Sequence, residues 1–450
     1  MTGNSESLDE LISTAKQVSE TILKYSNVRV VSHNDTDGIT SAAIICQALL
    51  REKIRYHATI VSRLDESVIE DVNNTISEGD LVIFCDMGSG QPDLISNVSE
   101  DTVVIDHHNP EGESTAKAVL NPHFSEIDGS TYLSASGSTY MVAREMDSSN
   151  VDLSGLAVTG AIGDKQVFES ANEFILDESV KNSVISVKKG LKIGEGDIAQ
   201  LLENVPEPYL DISGDREKID EFLSSLNVHG NINDLDSEDF KKLASAITLK
   251  IIKNASTEAV ESVIGDVYTL NKEPVQDIYE FIRILNACGK VKKGGLGLTL
   301  CLRDTSVLDE ARQISLEYNR NIVDQIKKAE SLIQCGSNIR YLNAESMDSI
   351  GIVAGVIIRY MYPDMPVIAT NEVEDVVKVS ARATHHLIEK GVDLNYAMRE
   401  AAKLTVGSGG GHNIAAGAAI EKGQVENFIN IVDDIIGKQL NPDTESSDED

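Results

Sequence analysis

The chain has 450 residues, 41% of them apolar and 25% charged, which suits two or three domains with sizeable cores. No apolar run reaches the roughly 18 residues that a membrane helix needs, and the opening MTGNSESLDEL has neither a basic nor an apolar stretch, so the expectation is a cytoplasmic protein without a membrane partner. The five cysteines lack CxxC spacing, which argues against a disulfide framework or a zinc ribbon, and the net charge of −34 repels nucleic acid at long range and fits either a generally acidic surface or faces for partner proteins.

Residues 8–25 (LDELISTAKQVSETILKY) space their apolar side chains as an amphipathic helix does. VRVV then reads as a strand running into His33-Asn34-Asp35-Thr36-Asp37-Gly38, and ITSAAIICQALLRE as the helix after it. This strand–loop–helix unit is the building block of a parallel sheet. It recurs in DLVIFCDMGSG (80–90), a strand ending at Asp86, and in DTVVIDHHNP (101–110), a strand ending at Asp106-His107-His108. KAVLNP is a further short strand and GSTYMVAREM a helix. LSGLAVTGAIGDKQ is a helix of small apolar residues ending at Gly163-Asp164. Strands this uniformly apolar belong in a sheet covered on both faces. Residues 186–330 read as helices (SAITLKIIKNA, PVQDIYEFIRILNAC, VLDEARQISLEYNRNIVDQIKKAESLI) joined by acidic stretches. From 338 onward strands and helices alternate again, up to the glycine-rich loop of GSGGGHNIAAGAAI, and NPDTESSDED has the composition of a disordered tail.

The polar residues that close the early elements are His33, Asp35, Asp37, Asp86, Asp106, His107, His108 and Asp164. Open parallel sheets bind ligands beyond the carboxyl ends of their strands. Four separate elements thus deliver carboxylates and imidazoles to one edge. Such a set repels itself unless cations neutralise it or protons remain on it. Mixed Asp and His ligands with carboxylates in excess favour Mn²⁺ or Mg²⁺ over Zn²⁺, and the set is too large for one ion. Each piece alone has a plainer explanation: an Asp after a strand is often a helix N-cap, and Asp37-Gly38 an ordinary turn.

Taken in order, the set resembles the DHH phosphoesterase superfamily. Its first motif is similar to His33-Asn34-Asp35-Thr36-Asp37-Gly38, its second to Asp86 in FCDMGSG, its third to Asp106-His107-His108, and its fourth to Gly163-Asp164. GSGGGH at 407–412, followed by AAGAA, resembles the DHH-associated domain of the same enzymes. The HxDxDG form looks like that of RecJ-type nucleases, and EFIRILNACGKVKKGGLGL (280–298) resembles the middle region of archaeal RecJ-like proteins.

The resemblance implies an α/β protein with an N-terminal helix (1–26), a parallel-sheet DHH catalytic domain (27–185) and a mainly helical middle region (186–334). A smaller C-terminal α/β DHH-associated domain (335–437) and an acidic tail (438–450) complete it. It implies two divalent cations, with Mn²⁺ favoured and Mg²⁺ the alternative. His33 and Asp35 would hold the first, Asp37, His107 and Asp164 the second, and Asp86 would bridge them. His108 would lie by the scissile phosphate, and Asp106 would orient a ligand imidazole. Arg382, Gly409, Gly410, Gly411 and His412 would bind the substrate. The implied activity is two-metal hydrolysis by an exonuclease that releases mononucleotides from single-stranded DNA or RNA in replication or repair. Hydrolysis of short oligonucleotides or cyclic dinucleotides, or a scaffold role bound to the replisome complex GINS, are the alternatives. Lys290, Lys292 and Lys293 form a local basic patch that reads equally as a phosphate contact and as a solvated loop. With 12 Tyr, 8 Phe and no Trp, a base-stacking platform is not evident.

Overall fold

The structure is a computed structural model that describes residues 5–345 and 347–441. Of the acidic tail expected at 438–450, residues 442–450 lie outside the described residues, and 438–440 end the helix Val425–Leu440. The chain divides into two compact units, one formed by Met1–Lys188 with Asp266–Leu316, the other by Lys189–Gly265 with Glu317–Asp450. Within the stretch read as one middle region, residues 189–265 thus group with the C-terminal part and 266–316 with the N-terminal part.

In the first unit the elements run α1 (Ser5–Ile22), β1 (Asn27–His33), α2 (Thr36–Arg51), β2 (Arg55–Val61), α3 (Glu66–Thr75), β3 (Leu81–Cys85), α4 (Pro92–Ser96), β4 (Asp101–Ile105), β5 (Ala118–Leu120), α5 (Ala135–Met146), α6 (Ser154–Gly163) and α7 (Ser170–Lys181). The five strands form a parallel sheet in the order β2-β1-β3-β4-β5. Alternation along the strands divides their side chains between two cores. Val28 and Val30 join Leu81, Ile83, Val103 and Ile105 under α2, α5 and α6. Val31, Val82, Phe84 and Val104 pack against Ile69 and Val72 of α3 and Ile95 of α4. α2 is buried from Thr36 to Leu49, because its Gly, Ala, Ser and Thr residues let neighbouring helices close in. The helices Ile278–Lys290 and Gly294–Cys301 add Phe281, Ile284, Leu285 and Leu300 to the first of these cores.

The second unit is built on a six-stranded mixed sheet in the order Ser408–Gly411, Ala415–Glu421, Val376–Arg382, Val367–Val373, Arg340–Asn343, Gln334–Cys335. Its pairs are antiparallel except Val367–Val373 with Arg340–Asn343. Val377, Val379 and Ala381 alternate inward onto a core shared with the helices Ile350–Tyr360, Leu394–Leu404 and Val425–Leu440, to which Leu243 and Ile247 of Ser237–Ile251 also belong. The α/β architecture is the expected one, with a two-stranded ribbon of Ile185–Leu191 and Ile264–Leu270 in addition. Among the described residues no helix is long and apolar enough to cross a membrane.

Candidate metal centre

β1 has β2 on one side and β3 on the other, so the strand order reverses there. That reversal opens the crevice in which α/β sheets bind ligands. β1, β3 and β4 each lead into a polar residue of the expected set, at His33, Asp86 and Asp106.

His33 closes β1. Asp35 caps α2, its Oδ1 accepting the Gly38 N–H at 3.0 Å. Its Oδ2 lies 2.8 Å from Nδ1 of His33, which is 3.3 Å from Oδ2 of Asp86. Asp37 is fully buried in the first turn of α2, where its oxygens accept the N–H groups of Ala135 and Ser136 at 2.7 and 2.9 Å. These are free N–H groups of the first turn of α5, where the helix dipole favours a carboxylate. Asp86 follows β3 with φ of 58°, a left-handed backbone that few residues other than glycine adopt. Nδ1 of His107 donates to the Gly129 carbonyl at 2.8 Å, which fixes the tautomer and leaves Nε2 as the inward atom. That Nε2 is 3.4 Å from Asp86 Oδ1, 3.4 Å from Asp164 Oδ2 and 3.9 Å from Asp37 Oδ2.

Three sets of ligand atoms converge within 4.8 Å: His33, Asp35 and Asp86; Asp37, His107 and Asp164; and Asp86, His107 and His108. Asp86 belongs to the first and the third. Asp106, buried behind them, accepts the N–H groups of Ser89 and His107 at 2.9 and 2.8 Å, and its Oδ1 lies 2.8 Å from Nδ1 of His108. Asp106 was expected to orient a ligand imidazole. The ring it holds is that of the half-exposed His108, while the Gly129 carbonyl takes that part for His107.

The electrostatics are those of carboxylates and imidazoles crowded together out of water. Burial and the charge of Asp86 push the Asp37 carboxyl up to about 6. Burial together with Asp37 pushes Asp164 well above the usual carboxylate range. Burial opposes a charged ring at His33, but hydrogen bonds to Asp35 and Asp86 outweigh it and raise the imidazole to about 10. At His107 burial is likewise outweighed, by Asp86 and Asp37. At Asp106 burial would raise the carboxyl, but His108 and His107 hold it below the usual range. Between these groups Oδ1 of Asp86 is buried and accepts no hydrogen bond. An unsatisfied buried carboxylate oxygen costs about 1–3 kcal/mol or more, and a cation beside it removes that cost. The donors, imidazole nitrogens and an excess of carboxylate oxygens, match the preferences of Mn²⁺ and Mg²⁺.

A pocket of about 240 Å³ opens over His33, Asp86, Asp106 and His108, with Arg63 and Gln91 on its rim. Arg63 is exposed and paired with Asp65 at 2.8 Å. Lys290, Lys292 and Lys293 are exposed, and Lys293 is paired with Glu310 at 2.8 Å.

The other expected residues lie in the second unit. Arg382 ends its strand opposite Ala415, and Nη1 donates to its neighbour's carbonyl at Ala381. Gly409, Gly410 and Gly411 lie in an edge strand, not in the expected loop, opposite Ala418, Gly417 and Ala416. The glycine at 409 has a packing reason: a Cβ there would lie 2.5 Å from the Met398 carbonyl oxygen of the helix beneath. His412 turns the chain, its N–H donating to Ala415. Arg382, Gly411 and His412 thus gather at one end of this sheet.

Several contributors escape sequence reasoning. Ala135 and Ser136 act through backbone N–H groups, signalled only by the Ser134 N-cap. Gln166 donates to the Gly129 carbonyl at 2.7 Å, beside His107, and stands in the quoted GDKQ without being distinguishable there.

The fold and the convergent Asp/His edge define a metal-dependent phosphoesterase, and the sequence comparisons agree: residues 27–161 match the DHH family, N-terminal domain, and residues 339–438 the DHHA1 domain. The chain belongs to the DHH family. It is 34% identical over 448 residues to the uncharacterized protein MJ0831 of Methanocaldococcus jannaschii, covering 97% of this chain and 99% of that one. RecJ of Thermus thermophilus in complex with Mn²⁺ superposes with a TM-score of 0.61 at 16% identity, over 95% of this chain and 55% of that one. The chain thus spans about half the length of that RecJ. CDC45 of Entamoeba histolytica superposes with a TM-score of 0.62 at 13% identity, over 96% of this chain and 99% of that one. At such identities the likeness is one of fold.

Proposed function

We propose that this phosphoesterase is a RecJ-like exonuclease that releases mononucleotides from single-stranded DNA or RNA. The observation that carries the hydrolytic reading is that Asp86, whose Oδ1 is buried without a hydrogen bond, belongs to two of the three Asp/His sets. His33, Asp35 and Asp86 would hold one divalent cation. Asp37, His107 and Asp164 would hold the other, with Asp86 reaching both. Mn²⁺ is the favoured ion. Such ions supply Lewis-acid charge for the phosphate oxygens and lower the pKa of water.

The remaining work belongs to the chain. Burial disfavours a charged His108, but its hydrogen bond to Asp106 outweighs burial and raises its pKa. With Nδ1 engaged, Nε2 is left to donate to a phosphate oxygen on which charge develops. Gly129 and Gln166 keep the His107 ring from turning. Arg63 on the pocket rim, paired with Asp65, offers a cation to an incoming phosphate. Arg382, Gly409, Gly410, Gly411 and His412 hold the substrate strand in this proposal, and association with GINS is an added role. The extra region 186–330, which a small-substrate enzyme would not need, favours a polynucleotide over a small substrate.

The test offers Mn²⁺-loaded protein end-labelled single strands of DNA and of RNA, beside short oligonucleotides and cyclic dinucleotides. Mononucleotides released from the long strands are expected. Hydrolysis confined to the short or cyclic substrates overturns the exonuclease reading and leaves the phosphodiesterase class standing.

A further inference from the structure

The loop bearing Asp35 and Asp37 is braced from a segment some 250 residues away. The Thr36 N–H donates to Oδ1 of Asn286 at 3.1 Å, and its hydroxyl to the Ile282 carbonyl at 3.3 Å. Nδ2 of Asn34 donates to the Gly289 carbonyl at 3.1 Å. A Cβ on Gly289 would lie 1.6 Å from the Asn34 carbonyl oxygen, so loop and helix touch backbone to backbone.

Thr36 is packed on its other side as well. A Cβ on Gly163 would lie 2.9 Å from the Thr36 Cβ, and Gly163 precedes Asp164. Thr36 therefore stands between the helix Ile278–Lys290 and the turn that carries Asp164. Its own neighbours in the chain are Asp35 of one Asp/His set and Asp37 of another. The Thr36 N–H lies in the first turn of α2, where no carbonyl of the same helix can accept it. Asn286 satisfies it.

We propose that Asn286 is a positioning residue of the metal centre. Through Thr36 it fixes the separation of Asp35 from Asp37 and, against Gly163, that of Asp37 from Asp164. The inference rests on reading the Asp/His sets as metal sites. Among the described residues Asn286 hydrogen-bonds to none of the candidate ligands, so its effect is exerted at one remove.

The experiment titrates the chelator-treated full chain with MnCl₂ by calorimetry, for wild type, Asn286→Ala, Asn286→Asp and Asn34→Ala. The unfolding midpoint in EDTA is recorded for each. Aspartate at 286 keeps the acceptor oxygen for Thr36. Loss of an outer-shell partner weakens metal binding about 10–100-fold, so Asn286→Ala is expected to lose at least about tenfold in Mn²⁺ affinity, Asn286→Asp to stay within about threefold of wild type, and Asn34→Ala to fall between. Wild-type affinities in Asn286→Ala, with only its EDTA midpoint lowered, would make the residue merely structural and overturn the inference. If Asn286→Ala does not fold, wild-type affinity in Asn34→Ala overturns it. A wild type that takes up no Mn²⁺ overturns the metal reading, and the inference with it. Normal uptake by wild type and variants alike overturns the inference alone.

Discussion

His107 and His108 are adjacent in sequence and divided in role by what holds each ring. His107 gives Nδ1 to the Gly129 carbonyl and turns Nε2 inward among Asp37, Asp86 and Asp164. His108 gives Nδ1 to Asp106 and keeps half its side chain exposed. His107→Gln is therefore expected to lose Mn²⁺ affinity, which calorimetry reads. His108→Gln should lose about 10²–10³ in kcat, the cost of a donor to developing charge, with Mn²⁺ affinity unchanged. Loss of Mn²⁺ from His108→Gln would instead make Asp86, His107 and His108 a working metal site. The motif residues themselves were legible in the sequence. The resemblance also implied separate places for the two rings, but not what holds each one, because that is done by a backbone carbonyl and a buried carboxylate, and pairings of that kind leave no pattern in a chain.

At the scale of elements, β1, β3 and β4 and the helix after β1 are legible because both faces of the sheet are covered and their sequences are continuously apolar. β2 is not, since it is an edge strand whose residues Arg55–Val61 stay partly exposed and include Arg55, Tyr56 and His57. Ser408–Gly411 reads as a loop because glycine carries no strand signal of its own, although close approach to the helix beneath requires it at 409. The amphipathic pattern of Ile278–Lys290 was visible, but its hold on Asn34 and Thr36 spans a separation that periodicity cannot register. Packing at this scale is testable in α6. A Cβ on Gly160 would lie 2.0 Å from Ser136 Oγ and 2.3 Å from Asp37 Oδ1. Gly160→Ala is expected to cost about 1–3 kcal/mol in denaturant unfolding, as overpacked cores do. Gly355 in the helix Ile350–Tyr360 has no atom within 4 Å of its Cβ position. Gly355→Ala should stabilise by about 0.5–1 kcal/mol, and a loss there would contradict the packing described.

For the whole molecule, the net charge of −34 means self-repulsion in the folded state. Salt screens it, so the unfolding midpoint of the metal-free protein should rise as KCl is increased; a fall would mean that attractive ion pairs dominate. The metal centre adds a pH dependence. A carboxyl raised to about 6 in the folded state, as at Asp37, gives stability that is complete below its ordinary pKa and is lost as pH rises through about 6. A bound cation replaces the lost proton, and ligands shed protons to receive it. The increase in unfolding midpoint on adding Mn²⁺ should therefore be larger at pH 8 than at pH 5, and an equal or smaller increase at pH 8 would contradict that linkage. The central claim, that Asp86 joins two cation sites, is tested most directly by counting Mn²⁺ bound per chain at equilibrium in wild type and in Asp86→Asn. Asparagine tolerates the left-handed backbone at this position, so the fold should survive the change. Two ions in wild type and fewer than two in the variant, at the same free Mn²⁺, is the predicted result. Two ions held equally tightly by both proteins would contradict the account.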